Sequence, residues 1–312
     1  MTNPWIVCGA LAVEAAIGYP AAAQRLIPHP VVGIGKLIAA LETRLNRDAD
    51  PESLRRALGL CTLVVIMIVA MVAAHAATFI ARHMPLGSLL VIAVASLGFA
   101  QRSLYEHVAA VSRALDRGSL HDARVNLAHI VGRDVEGLDA GGITAAALES
   151  LSESFNDGVV APVFWFAVAG LPGLFIYKTV NTADSMIGHM EPRWRAFGWA
   201  AAHTDDLLNL IPARLAGIMI VVVGRSGWTT MRSDAPKHAS PNAGWPEAAM
   251  AGALKVQLGG AATYDGVLHN RPIFGEGARP TPGDLHRGLH IYIRACAVLW
   301  GVFAVGGLLW RP

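Results

Sequence analysis

From Leu58 to Ile80 the chain runs for 23 residues without a formal charge, His75 being the one ionisable side chain. A helix rising about 1.5 Å per residue over that length crosses the roughly 30 Å hydrocarbon core of a bilayer with length to spare. Five further apolar stretches read as candidate spans: Trp5 to Ala23 (interrupted by Glu14), Leu86 to Ala100, Val159 to Tyr177, Leu210 to Gly224 and Ala295 to Trp310. Composition agrees. Charged residues are 15%, against roughly 25% in a soluble domain, and the mean hydropathy is +0.43. Such a chain cannot cover a soluble globule with polar surface. A disordered chain and a disulfide scaffold are excluded, and a net charge of +2 without a run of Lys and Arg excludes a nucleic-acid binder. Cys8, Cys61 and Cys296 lie far apart in or beside apolar runs and read as small buried hydrophobes.

The expected fold is all-α, a polytopic transmembrane helical protein of five to six spans forming a single membrane-embedded domain over 1–312. The leader Met-Thr-Asn-Pro has no basic residue, so the first apolar stretch reads as a retained span rather than a signal peptide. Lys plus Arg between the spans count six, one, five, four (with Arg214 assigned to that loop) and eight. That alternation places 24–57, 101–158 and 225–294 in the cytoplasm, in a cytoplasmic (inner) membrane, with both termini outside if there are six spans. The segments 101–158 and 225–294 span about 60 and 70 residues. Leu104, Val108, Val111 and Leu115 recur at helical spacing, whereas 225–294 is rich in Gly and Pro and should be largely irregular.

Polar chemistry crowds the fourth apolar stretch. Glu149, Glu153 and Asp157 fall at i, i+4 and i+8, one face of a helix. Like charges so placed repel by a few tenths of a kcal/mol each, so the stripe is either a solvated face or a seat for Mg²⁺. Beyond the stretch, Lys178, Asn181 and Ser185 share a face with Asp184 nearby. They mark a site or else interfacial snorkelling and capping. Asp205 and Asp206, with Asn209, read as a helix N-cap or as metal ligands. Ser240 to Glu247 has the composition of a shaped loop entering a helix, with Pro246 in its first turn; Trp245 there is an interfacial anchor or a platform for a flat ligand. His286 and His290 stand at i, i+4 without an HExxH. No phosphate loop, dinucleotide fingerprint or nucleophile elbow occurs.

Together these stretches resemble the adenosylcobinamide-phosphate synthase family of cobalamin biosynthesis, an integral membrane family. The matching pieces are Pro28-His29-Pro30-Val31 with Ile34-Gly35; Gly132-Arg133-Asp134; Asp157-Gly-Val-Val-Ala-Pro162; and Tyr177-Lys178 through Asn181-Thr182 to Asp184-Ser-Met-Ile-Gly188. Asp205-Asp206, Asn209 and Pro212-Ala-Arg214 follow, then Ser240-Pro-Asn242-Ala-Gly-Trp245 with Glu247, and Leu258-Gly-Gly. Order and spacing hold from about residue 18 to 275. The chain departs from the family pattern at Tyr19, where the family has Asp, and at Ser154-Phe155, where it has Asn-Thr.

The resemblance implies an amide-forming ligase. It would join a propionate carboxylate of adenosylcobyric acid, a corrinoid substrate, to (R)-1-amino-2-propanol or its phosphate, with ATP and Mg²⁺ and with other late enzymes of the pathway as partners. On that reading Glu153, Asp157, Asp184, Asp205 and Asp206 hold the metal. Arg133, Lys178 and Arg214 neutralise phosphate, and His29 or Glu149 takes the ammonium proton. Asn181, Asn242 and Trp245 contact cofactor or corrin. Six full spans would strand Lys178 to Arg214 opposite Asp157 and Asn242. A broken or re-entrant segment over 159–177, which Pro162, Gly170, Pro172 and Gly173 allow, removes the conflict and leaves five spans. The rival class is a non-enzymatic transporter or signalling protein of related layout. A transporter should show internal repeats and mid-span ionisable groups, and neither is visible.

Overall fold

The computed structural model describes residues 2–19 and 29–310. Among the described residues, five helical segments are long and apolar enough to cross a membrane: Glu52–Arg82, Gly87–Asp116, Ala140–Ile187, Trp199–Gly224 and Pro282–Leu309. The protein is therefore a multi-pass helical membrane protein. The first apolar stretch forms a helix of 14 residues, α1 (Pro4–Ile17); the remainder expected of it, 20–23, lies outside the described residues.

The chain divides into two compact units. The first takes residues up to Ala100, Ala161–Asn209 and the end of the chain from Phe303. In it α2 (Pro30–Leu45) and α3 (Glu52–Arg82) pack with α8 (Ala161–Ile187), and α1 packs on α4 (Gly87–Ser96). Ile38, Leu63, Ile66, Val180, Ala183 and Phe197 form the core between them. The backbone comes so close at Gly59 that a Cβ there would stand 1.8 Å from the Phe197 carbonyl oxygen. A buried polar knot secures the 188–198 connection. Glu42 accepts from Arg193 Nε (3.0 Å) and Asn46 Nδ2 (3.0 Å), and Asn46 Oδ1 accepts from Arg55 Nε (2.8 Å).

The expected break in 159–177 is present. Gly170 holds φ 66 and ψ −154 inside α8, and Pro172 follows with no N–H to give. The carbonyls of Phe166 and Ala167 lie in the turn before this break, where the helix ladder is interrupted. Thr2 reaches both, its hydroxyl donating to Phe166 O (2.7 Å) and its N–H to Ala167 O (2.8 Å). A polypeptide carbonyl at membrane depth needs such an internal donor.

The second unit takes Gln101–Val160 and Leu210–Val302. Here α5 (Gln101–Asp116) and α6 (Leu120–Ala128) pack with each other, and α5 packs on α7 (Ala140–Phe155). Leu104, Val108, Val111 and Leu115 are all buried, as their spacing requires. A π-helical turn, Asn156–Val160, follows α7. The later part of α9 (Trp199–Gly224) leads to α10 (Trp228–Asp234) and α11 (Gly244–Leu254). The small residues of α11, Ala248, Ala249 and Ala251, are wholly buried, so it packs closely on α7 and α10. Two antiparallel pairs follow, β1 (Leu258–Gly259) with β4 (Ile273–Phe274) and β2 (Ala262–Tyr264) with β3 (Val267–His269). The last helix, α12, is Pro282–Leu309.

Two boundaries and one register differ from expectation. α9 starts at Trp199, not near Leu210, so Asp205 and Asp206 sit in its second turn and are not an N-cap. α12 starts at Pro282 instead of Ala295, since Thr281 and Asp284 close a cap: the Thr281 N–H and hydroxyl both donate to Asp284 Oδ2 at 2.8 Å. Asp157 does not extend the Glu149–Glu153 stripe in α-helical register, because the π turn advances less per residue.

Candidate functional site

In the second unit, Glu149 of α7 is the hub of a buried charged cluster. Its Oε2 accepts from Arg133 Nη2 (2.5 Å) and Arg271 Nη1 (2.9 Å), and its Oε1 accepts from the Gly259 N–H (2.8 Å). Glu149 is therefore an anion locked between two guanidinium groups, and it suits positioning them better than accepting a proton. Arg271 comes from the connection between β3 and β4. Its Nη2 stands 3.6 Å from Glu247 Oε2. Burial alone would lower the Arg271 pKa, but Glu149 and Glu247 together hold it above the ordinary value.

Glu247, in the first turn of α11, is 1% exposed, and its Oε2 has no hydrogen-bond partner among the described residues. Burial, then the charges of Glu153 and Glu149, push its pKa well above the usual carboxylate range against the pull of Arg271 and Arg133. His238 Nε2 lies 3.7 Å from Glu247 Oε1. The His238 Nδ1 accepts the Ser240 N–H at 2.9 Å. Burial and then the charge of Arg271 lower the His238 pKa, against a backbone hydrogen bond at Ser240 and the charge of Glu149.

Of the sequence candidates, Arg133, Glu153 and Asp157 belong to this neighbourhood. Glu153 is solvent-accessible and near enough to Asp157 for their charges to interact, and Asp157 Oδ1 accepts from Asn156 Nδ2 (2.7 Å). Residue pattern does not single out Arg271 or His238. Arg271 lies 122 residues from Glu149 in a Gly- and Pro-rich stretch with no periodicity to flag it. Glu247 is legible as a first-turn helix acid and as part of the family-like stretch from Ser240, but not as a member of this cluster.

Arg214, Asn242 and Trp245 form a separate group in the same unit. Arg214 Nη1 donates to Asn242 Oδ1 (2.6 Å) and Nη2 to Pro241 O (3.1 Å), and the guanidinium lies 4.7 Å from the Trp245 ring centroid. This engagement fixes the 240–245 loop. His286 Nε2 meets Asp116 Oδ1 at 3.0 Å rather than pairing with His290.

The remaining candidates are in the first unit. Tyr177 OH donates to Asn209 Oδ1 (3.1 Å), Asn209 Nδ2 to Asp205 Oδ2 (2.9 Å) and Asn181 Nδ2 to Asp205 Oδ1 (3.4 Å), a buried chain joining α8 to α9. Asp184 folds over Gly188, where a Cβ would meet its Oδ1 at 1.9 Å. Asp206 follows Asp205 in α9. Lys178 and His29 line a mostly apolar cavity of about 290 Å³ with Ile34, Leu37, Leu97 and Phe175. Burial lowers the His29 pKa, a backbone hydrogen bond with Leu97 opposes this, and the charge of Lys178 lowers it further, leaving the imidazole neutral at pH 7. Among the described residues no three His, Cys, Asp or Glu side chains converge to hold one metal ion. A Mg²⁺ shared with phosphate needs only one or two carboxylates.

The family model described as CobD/Cbib protein matches residues 7–292. A protein named Cobalamin biosynthesis protein CobD from Rhodobacter capsulatus is 45% identical over 305 residues, covering 96% of each chain. One of the same name from Sinorhizobium sp is 41% identical over 309 residues, covering 95% of each. Another, from Rhizobium meliloti, is 39% identical over 314 residues, covering 96% of this chain and 95% of its own. No solved structure matches the chain.

Proposed function

The chain belongs to the CobD/CbiB family and has a role in cobalamin biosynthesis, and from that membership and its buried arginine–carboxylate cluster we propose that it is an amide-forming ligase. It joins a propionate carboxylate of adenosylcobyric acid to (R)-1-amino-2-propanol or its phosphate, at the cytoplasmic face of the inner membrane. The observation that carries this reading is Arg133 and Arg271 held side by side on Glu149, within a chain whose family match runs almost end to end.

A free carboxylate is a poor electrophile. ATP with Mg²⁺ would supply its activation, and the donor set fits: Glu153 and Asp157 offer the one or two hard oxygen ligands such an ion takes beside phosphate. Arg133 and Arg271 neutralise anionic oxygens of the substrates, each presented by Glu149 in a fixed orientation. Glu149 spends its lone pairs on these arginines, so it positions them and does not take the ammonium proton. In the first unit, His29 carries the proposal of proton acceptor, since a neutral imidazole can take a proton from an amine at pH 7. Lys178 there offers a cation for phosphate, and Asp184, Asp205 and Asp206 remain proposed oxygen ligands.

The test is product formation by membranes containing the protein, supplied with adenosylcobyric acid, either amine, ATP and Mg²⁺. Wild-type membranes yield an ATP-dependent amide. Asp157→Asn, Asp184→Asn and Arg271→Gln, made singly, each lower the rate at least about tenfold, the scale of one lost charge contact in a transition state. No ATP-dependent product from the wild type overturns the function. Near wild-type rates in a variant overturn the role given to that residue.

A further inference from the structure

The segment 225–281 leaves the candidate span α9 at Gly224 and meets the candidate span α12 at Pro282. Immediately past Gly224 lies a cavity of about 390 Å³ that the proposed reaction does not use. Its floor is backbone. A Cβ on Gly227 would stand 2.8 Å from Ala253 N, and one on Gly252 would stand 2.7 Å from Gly227 Cα. Two chain segments therefore come main chain to main chain there, with the Thr230 side chain packed beside Gly252.

The walls are polar. Ser226, Thr229 and Thr230 bring three hydroxyls, Lys255 an ammonium and Glu276 a carboxylate. The stretches carrying the two charges lie alongside each other: Val256 bridges Ala278, and a Cβ on Gly277 would stand 2.3 Å from Lys255 O. Yet Lys255 and Glu276 make no ion pair or side-chain hydrogen bond, with each other or with any described residue. A cation and an anion that line one cavity without joining match a ligand with both charges: a phosphoryl group for Lys255 and the hydroxyls, and a primary ammonium for Glu276. Phosphoryl recognition by a Lys point charge and hydroxyl donors is ordinary chemistry.

The place of the cavity indicates the source. It opens two residues beyond a span end, and Trp228 on its wall is 45% exposed, the setting in which Trp sits at the boundary of bilayer and water. We propose that this cavity binds the phosphoethanolamine headgroup of a bilayer phospholipid, with Lys255 and the hydroxyls on the phosphoryl oxygens and Glu276 on the ammonium. A quaternary ammonium headgroup has no N–H for Glu276, and a glycerol headgroup has no cation, so both bind more weakly.

The full-length protein is purified in detergent and its retention of added phosphatidylethanolamine, phosphatidylcholine and phosphatidylglycerol is compared by native mass spectrometry. The wild type retains phosphatidylethanolamine about fivefold better than either other lipid, the upper scale of an exposed ion pair. Glu276→Gln removes the preference over phosphatidylglycerol, and Lys255→Gln weakens retention of all three lipids, each of which carries the phosphoryl group. Equal retention of the three lipids by wild type, or an unchanged preference in the Lys255→Gln, Glu276→Gln double variant, overturns the site. Complete displacement by equimolar free phosphoethanolamine overturns the lipid as its source. Neither side chain takes part in the proposed ligase reaction, so amide synthesis in the double variant reports separately on that function.

Discussion

Glu149 and Glu247 are carboxylates of one cluster with opposite physical roles. Glu149 is satisfied by three donors, and its side chain is 3% exposed against 13% for Arg133 and 18% for Arg271. Replacing it by Gln leaves two buried guanidinium groups without their anion, a change that costs about 3–5 kcal/mol. The unfolding temperature of Glu149→Gln in detergent should fall well below that of the wild type; an unchanged value would mean the arginines find other partners. Glu247 has an orphan oxygen and a raised pKa. Its folded form binds a proton more tightly than the unfolded chain, where the pKa is near 4.5. Its contribution to stability is thus full below that value and is lost as pH rises through the higher folded pKa. Glu247→Gln keeps the shape and removes the proton. Its unfolding temperature should decline less than that of the wild type as pH is raised from 5 to about 8, and parallel curves would remove Glu247 as the titrating group.

At the scale of elements, the break in α8 is a structural requirement rather than a loose end. Gly170 occupies a φ, ψ combination that only glycine enters freely, at about 1–3 kcal/mol for any other residue. Gly170→Ala should be destabilised by that amount in denaturant titrations. Gly132→Ala serves as the comparison, because a Cβ at Gly132 meets nothing within 4 Å, and its effect should be within about 0.5 kcal/mol. Gly170 and Pro172 announce this break in the sequence because backbone chemistry is local. The spans were legible for the same reason, and so were the buried positions of α5. The start of α12 also has a local signature, Thr281-Pro-Gly-Asp284, but the charges of Asp284, Arg287 and Arg294 mask it in a hydropathy reading. The π turn carries no residue signature, and with it the true register of Asp157 is hidden. The role of Arg271 is tertiary: nothing between Arg271 and Glu149 in sequence encodes that two small β pairs bring them together.

At the scale of the whole chain, the membrane-side assignment of the polar segments can be argued from one contact. Asp134, between α6 and α7, donates its N–H to Thr263 O (2.9 Å) and accepts the Gly266 N–H on Oδ2 (2.8 Å). Two chain segments linked by such bonds occupy the same side of a bilayer. The segments 101–158 and 225–294 hold five and eight Lys plus Arg, from which the positive-inside rule predicts that the common side faces the cytoplasm. Arg117 and Leu268, one in each segment, are exposed. Single cysteines placed there by Arg117→Cys and Leu268→Cys, in a chain whose three native cysteines are replaced by Ser, should resist a membrane-impermeant maleimide added to intact cells. Both should react once the membrane is opened. Labelling of both in intact cells would invert the orientation while keeping the Asp134 contact. Labelling of only one would break that contact, and with it the β2–β3 pair would lose its anchor beside the Arg133–Glu149 cluster, whose geometry depends on the same loop.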